Sequence, residues 1–243
     1  MIRLILILIF LLFFALYSLI ALPIVFIISR FNDRTAQKHS QRVTRNAFKT
    51  ILFLAGTKIN VKGLENIPKD RSVLFVSNHR SDFDILIIYE LLPVLTGFVS
   101  KVEVKKVPIL RRWMQFNKCV FLDRDNAREG LKAILAGIDN INNGTSMYIA
   151  PEGTRNHEKE MLPFKPGSLK IAEKSGCPIL PIALSNTDAI FENQKPLVRK
   201  AEVTIEFGKP IEVQQLDAEG KKALLENAQN TIKKMLEDNN KSC

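Results

Sequence analysis

The chain opens on an apolar run without a single charge, "LILILIFLLFFALYSLIALPIVFIIS", Leu4 to Ser29. A helix rising 1.5 Å per residue over that length crosses a hydrocarbon core of about 30 Å. A secretory signal has an apolar core of about 7–15 residues and then small residues at a cleavage site. Here the run is longer and leads into "RFNDRTAQKHSQRVTRNAFK", so a retained N-terminal hydrophobic membrane helix is expected. Pro23 and Ser18 keep a second geometry open, a helix broken into a one-leaflet or re-entrant insertion. Further on, Val43, Ala47, Ile51, Leu52 and Leu54 recur at helical spacing. That segment, Val43 to Ala55, fits an interfacial amphipathic helix or one packed on the core.

From Lys58 onward short β-branched runs alternate with helical patterns. Strands are expected at "KINVKG", "SVLFVS", "TGFVS", "CVFLD", "TSMYIA", "PILPIAL" and "AEVTIEFG". Helices are expected at Asp82–Leu92, Ile109–Phe116, Ala127–Asn142, Ser168–Ser175 and Ala218–Asp238. The last places Leu224, Leu225, Ala228, Ile232, Met235 and Leu236 on one face for packing. Such alternation predicts an α/β fold, a mixed, largely parallel sheet flanked by helices. The expected division is an anchor with a basic, amphipathic segment over residues 1–57, then an α/β domain over 58–243. In sheets of this kind, sites gather at the carboxyl ends of the strands.

Charge narrows the partners. A formal net charge of +10 over 243 residues favours anionic ones. Nucleic acid is set aside, because there is no zinc-finger spacing, aromatic RNA-binding signature or basic zipper. Instead Arg30, Arg34, Lys38, Arg42, Arg45 and Lys49 follow the apolar run against the single acid Asp33, and only Arg3 precedes it. Positive residues mark the cytoplasmic side, and a basic stretch there is held to anionic headgroups. The three cysteines, Cys119, Cys177 and Cys243, form no C-x-x-C, so a reducing compartment is expected. The expected location is a cell membrane (a bacterial inner membrane or its equivalent), with the globular part on the cytoplasmic face.

Three clusters that follow strands carry candidate chemistry. In "SNHRSDFDIL", Ser81 and Asp84 have the spacing of a helix capping box. Asp84 in a first helical turn also points back toward His79. A carboxylate there holds one imidazole nitrogen and frees the other as a base. A histidine bonded to a backbone carbonyl is the equal alternative from this stretch alone. No G-x-S-x-G occurs, which disfavours a nucleophile-elbow hydrolase. In "CVFLDRD", Arg124 stands between Asp123 and Asp125, by itself the pattern of a surface ion pair. In "APEGTRNHEKEMLPFKPG", Gly153 allows close backbone approach to a ligand and Arg155 can fork a phosphate. A turn with a solvated ion pair is the plain alternative. Lys165 and Gly167 stand at a helix start, a favourable place for an anion. His39 and His157 are given no role, and the three histidines are too scattered to build a metal ligand set.

Taken together, these blocks resemble the glycerophospholipid acyltransferase family. Asn78-His79 with Asp84 matches its N-H-x-x-x-x-D motif, and Phe121 to Arg124 its F-x-x-R block. Pro151 to Arg155 matches P-E-G-T-R, followed by the F-K-x-G extension in "LPFKPG", and Pro181 resembles the proline of a fourth block. H-x4-D alone is common; four blocks in order between Lys62 and Asn186 are specific. The resemblance is closest to the 1-acyl-glycerol-3-phosphate acyltransferases. It implies acyl transfer from a thioester, acyl-coenzyme A or acyl carrier protein, to the sn-2 hydroxyl of lysophosphatidic acid at a bilayer, giving phosphatidic acid with no cofactor and no metal. It implies His79 as general base, Asp84 as its orienting partner, and Arg124, Glu152, Gly153, Thr154 and Arg155 at the phosphate. Lys101 resembles a lysine near the thioester in some members, a candidate for stabilising the oxyanion; a solvated lysine is the alternative. Other acceptors (glycerol 3-phosphate or another lysolipid), thioester hydrolysis and a non-catalytic phospholipid-binding protein are the rivals. Two departures stand out: Lys118 where the family often has glycine, and Ala150 where it often has an aromatic residue.

Overall fold

A computed structural model describes residues 1–123, 126–156, 158 and 160–241. The apolar run forms one unbroken helix, α1 (Ile2–Phe31), which continues through Pro23. Asn32 ends it in an extended conformation, and its side chain accepts the Thr35 amide at 2.9 Å. That bond caps the next helix, α2 (Asp33–Ala55). A one-residue turn therefore folds α2 back along α1, and Arg3 Nη1 donates to the Leu54 carbonyl at 3.0 Å.

α2 begins ten residues before the apolar spacing predicted, and the reason lies in its buried face. The N-terminal part of that face is polar: Gln37, Ser40, Gln41 and Thr44. Gln37, Gln41 and Thr44 are matched to groups of the α/β domain. The Gln41 amide donates to Val94 O at 2.8 Å and accepts the Thr96 amide at 3.0 Å. Asn117 Nδ2 donates to Thr44 Oγ1 at 2.9 Å. A helix docked mainly through polar groups that find partners shows little hydrophobic stripe in its sequence pattern.

Among the described residues seven strands form one sheet: β1 (Lys58–Lys62), β2 (Leu74–Ser77), β3 (Thr96–Lys101), β4 (Val120–Leu122), β5 (Ser146–Ile149), β6 (Ile179–Ser185) and β7 (Glu202–Phe207). Their order is β1-β7-β6-β2-β5-β3-β4, parallel throughout except between β6 and β7. The mixed, largely parallel sheet expected from the sequence is thus the one found. The central strands β2, β5 and β6 are buried along their whole length, as parallel strands covered on both faces must be.

Among the described residues five further α-helices pack around the sheet and the N-terminal hairpin: α3 (Phe83–Leu91), α4 (Pro108–Phe116), α5 (Ala127–Asn142), α6 (Lys170–Ser175) and α7 (Ala218–Lys241). α7 buries Leu224, Ala228, Ile232 and Met235, the face its spacing predicted. One hydrophobic cluster joins α3 and the sheet to Ile7 of α1 and to Ile51, Leu52 and Ala55 of α2; a second lies under α5, α6 and α7; a third gathers Ala21 and Val25 of α1, Ala36 of α2 and Trp113. The N-terminal hairpin therefore shares a core with the α/β domain. Each buried isoleucine or leucine there contributes about 1.5–3 kcal/mol. A second attachment is polar: Trp113 Nε1 of α4 donates to Ser18 Oγ at 2.9 Å, and Ser18 donates to Phe14 O at 2.7 Å.

The register places the site. β2 pairs with β5, Val76 beside Ile149, so the turns that follow the two strands emerge side by side.

Candidate functional site

Ser77 ends β2, and the chain turns at Asn78, whose side chain bonds the Leu184 backbone in both directions at 2.9 Å. This amide fastens the start of the loop to β6. His79 comes next, then the helix start. Asp84 is fully buried, and its Oδ2 accepts three hydrogen bonds: from His79 Nδ1 at 2.9 Å, the Arg80 amide at 2.7 Å and the Ser81 amide at 2.9 Å. Ser81 Oγ in turn accepts the Phe83 amide at 3.0 Å. Asp84 thus makes its half of the capping box that the sequence suggested, reaching back to the Ser81 amide, whereas Ser81 Oγ takes the Phe83 amide rather than that of Asp84. The same carboxylate oxygen bonds the histidine ring. Because backbone amides only donate, Oδ2 is an acceptor, and Nδ1 is assigned the proton. Nε2 is left for the cavity that His79 lines.

Glu152 is the second fixture. It follows β5 and is buried, and its two oxygens accept the His79 amide at 2.8 Å and the Leu162 amide at 2.9 Å. Asn156 closes the same junction, its amide donating to His79 O at 2.8 Å. Burial pushes the Glu152 carboxyl above its ordinary value, against the amide bonds that hold it down. The resemblance put Glu152 at the phosphate. In the structure both its oxygens accept backbone amides, one of them the amide of His79.

The cavity measures about 750 Å³. It is lined by the polar residues His79, Asp82, Lys101, Arg155 and Lys165, by the turn of Gly153 and Thr154, and by apolar side chains that include Leu122, Leu131, Ile134 and Ile171. One cavity thus brings together a base, cations and apolar surface. Gly153 sits at φ 75°, in the left-handed region that favours glycine. Arg155 is bonded to Asp82, and its Nη1 lies 3.8 Å from Glu192 Oε1. Behind His79, Tyr148 shares a 2.6 Å hydrogen bond with Ser77 Oγ. Burial and then the nearby Asp84 charge push its phenol far up, so it stays protonated.

Arg124, Asp125, His157 and Cys243 lie outside the described residues, so nothing structural bears on the phosphate role expected of Arg124. Of the two departures, Ala150 lines the cavity. Lys118 sits at the turn between α4 and β4 with φ 58°, away from the cavity lining. That backbone explains why glycine suits the position. Here lysine takes it and bonds Asp33 of α2 at 2.5 Å. Among the described residues no group of three or more His, Cys, Asp or Glu is placed to hold a metal ion.

Sequence reasoning missed Glu192. It lies in a 3₁₀ turn, Glu192–Gln194, more than a hundred residues after the loop it serves. Its carboxylate accepts Ser81 Oγ–H at 2.5 Å and the Asp82 amide at 3.0 Å. Nothing in "IFENQKP" signals this; only the return of the chain beside α3 creates it.

Comparison with known proteins agrees with this architecture. A family model described as Acyltransferase matches residues 58–185. The chain is 29% identical to the 1-acyl-sn-glycerol-3-phosphate acyltransferase of Saccharomyces cerevisiae, over 74% of this chain and 60% of the yeast protein. It is 31% identical to a protein of Mycoplasma pneumoniae named "Probable 1-acyl-sn-glycerol-3-phosphate acyltransferase", over 83% of this chain and 81% of that one. The crystal structure of the 1-acyl-sn-glycerophosphate acyltransferase of Thermotoga maritima superposes with a TM-score of 0.80 and 26% identity, covering 97% of this chain and 95% of that one.

Proposed function

We infer the reaction from one premise: this chain belongs to the acyltransferase family. The reading is transfer of an acyl chain from a thioester to the free sn-2 hydroxyl of lysophosphatidic acid, giving phosphatidic acid. The observation that carries it is the His79–Asp84 pair, with His79 lining a cavity that also holds cations and apolar walls.

His79 Nε2 takes the proton of the acceptor hydroxyl as its oxygen attacks the thioester carbonyl carbon. The tetrahedral intermediate expels the thiolate, which recovers the proton from the imidazolium. Asp84 keeps the proton on Nδ1 and offsets the charge that forms on the ring. Base catalysis of this kind contributes about 10²- to 10⁴-fold. Arg155, with Arg124 from the resemblance, binds the phosphate; Gly153 and Thr154 bring backbone close to it. Glu152 acts as a positioning residue, holding the His79 loop rather than the phosphate. Lys101, which lines the cavity, stabilises the oxyanion. The apolar part of the lining takes an acyl chain.

The protein works at a bilayer surface with its active face in the cytoplasm. α1 is long and apolar enough to cross a membrane, and Phe13, Ile20 and Phe26 point outward from it. However, α2 runs back along α1 and carries Arg34, Lys38, Arg42, Arg45 and Lys49. A straight span would draw these charges toward the hydrocarbon at about 2.5–3.5 kcal/mol each. Insertion of the hairpin into one leaflet, with the outer face of α1 in lipid, avoids that cost.

The test is thiol release in detergent from acyl-coenzyme A and from acyl carrier protein, with and without lysophosphatidic acid, for wild type and His79→Ala. Acceptor-dependent release that falls by orders of magnitude in the variant is expected. Release indifferent to the acceptor points to thioester hydrolysis, and activity that survives in His79→Ala removes the mechanism.

A further inference from the structure

Arg155 faces two carboxylates of unequal freedom. Glu192 has a fully buried side chain, pinned by the Ser81 hydroxyl and the Asp82 amide, and its Oε1 is 3.8 Å from Arg155 Nη1. The Asp82 carboxylate bonds the same Nη1, and its side chain is 62% exposed at the lining of the cavity. One acid is a fixed support and the other can leave. Arg80, the arginine of the His79 loop, is committed elsewhere. Its guanidinium donates to Asp188 Oδ2 at 2.9 and 3.3 Å and to Glu158 O at 2.8 Å.

We propose that Asp82 is an internal competitor for the acceptor phosphate: it holds the Arg155 guanidinium in the empty site, yields it to the phosphate, and reclaims it as product leaves. This rests on the acyl-transfer reading above. A carboxylate and a phosphate both present paired oxygens to a guanidinium, so one replaces the other without moving Arg155 from Glu192. Acyl transfer changes the hydroxyl and leaves the phosphate intact, so Arg155 grips acceptor and product alike. Grip shared by substrate and product lowers KM but does not speed chemistry, and it slows release. Asp82 loosens both in equal measure. An exposed ion pair of this kind is worth about a 1.5- to fivefold change in affinity.

The experiment compares wild type with Asp82→Asn and Asp82→Ala, using the full chain in detergent. KM for lysophosphatidic acid and the inhibition constant of phosphatidic acid are both expected to fall, by the same factor of about 1.5 to five, while KM for the thioester does not follow them. In an Arg155→Ala background the effect of Asp82→Asn is expected to vanish. An acceptor KM that is unchanged or raised overturns the proposal, since Asp82 then only positions Arg155. So does an equal effect in both backgrounds. Thermal-shift titration with glycerol 3-phosphate reads the same exchange without turnover, and its half-saturating concentration is expected to fall in Asp82→Asn. If wild type shows no acceptor-dependent thiol release, the acyl-transfer reading fails, and this titration still decides the role of Asp82.

Discussion

The backbone amide of His79 donates to Glu152 Oε1 at 2.8 Å, joining two loops that are 73 residues apart in the chain. The second Glu152 oxygen is taken by the Leu162 amide. Glutamine offers one acceptor oxygen to two amide donors, so Glu152→Gln leaves one of them facing an NH₂ group. Stability is expected to fall by about 1–3 kcal/mol, seen as a lower Tm. Turnover should fall at least roughly tenfold, because misplacing a catalytic group by about an ångström is costly. Thermal melting and kcat on the same preparation check this. A variant with normal kcat would show that Glu152 does not position the histidine.

Asp84→Asn keeps an oxygen able to accept from Nδ1 but removes the charge that offsets an imidazolium. We expect kcat to fall about 10²- to 10⁴-fold, with a smaller change in acceptor KM. Steady-state kinetics in both substrates measures this. A drop confined to KM would contradict the orienting role.

Trp113 is the single tryptophan of the chain, and its indole N–H meets the buried Ser18 Oγ. Ser18→Val strands that donor between α1 and α4, at about 1–3 kcal/mol. A lower Tm is expected, with a change in tryptophan emission that reports the loosened hairpin. Unchanged emission and Tm would mean the contact does not hold α1.

Burial pushes the Cys119 thiol from 9.0 up to about 12, offset in part by the Phe98 amide that donates to its sulfur. The raised value fixes the sign. The folded state keeps the proton, so this contribution is fully present below pH 9.0 and is lost as pH rises toward about 12. The slope there is at most about 1.4 kcal/mol per pH unit. Denaturant melts from about pH 8.5 to 10.5 should therefore show wild type losing stability more steeply than Cys119→Ala. Parallel curves would remove the claim.

What could be read from the chain divides along a physical line. β-branched runs marked the seven strands, most plainly the central β2, β5 and β6, because strands buried on both faces must be apolar along their length. The spacing of Ser81 and Asp84 announced a capping box, and His79 beside it announced the pair, since every contact there spans five residues or fewer. α2 was half missed: its first ten residues are buried through Gln37, Ser40 and Gln41, and polar burial has no periodic signature.

The sequence by itself determined the α/β layering, the apolar leading helix and the local His79–Asp84 geometry, because secondary structure and contacts within one turn depend on neighbouring residues. Only the tertiary structure decided the rest. The strand order set β5 beside β2 and so gave Glu152 to the His79 amide. The return of the chain after β6 set Glu192 under Ser81 and Arg155. The one-residue turn at Asn32 laid a charged helix along an apolar one. Each joins residues far apart in the chain, and such contacts are fixed by how the layers stack rather than by any local pattern.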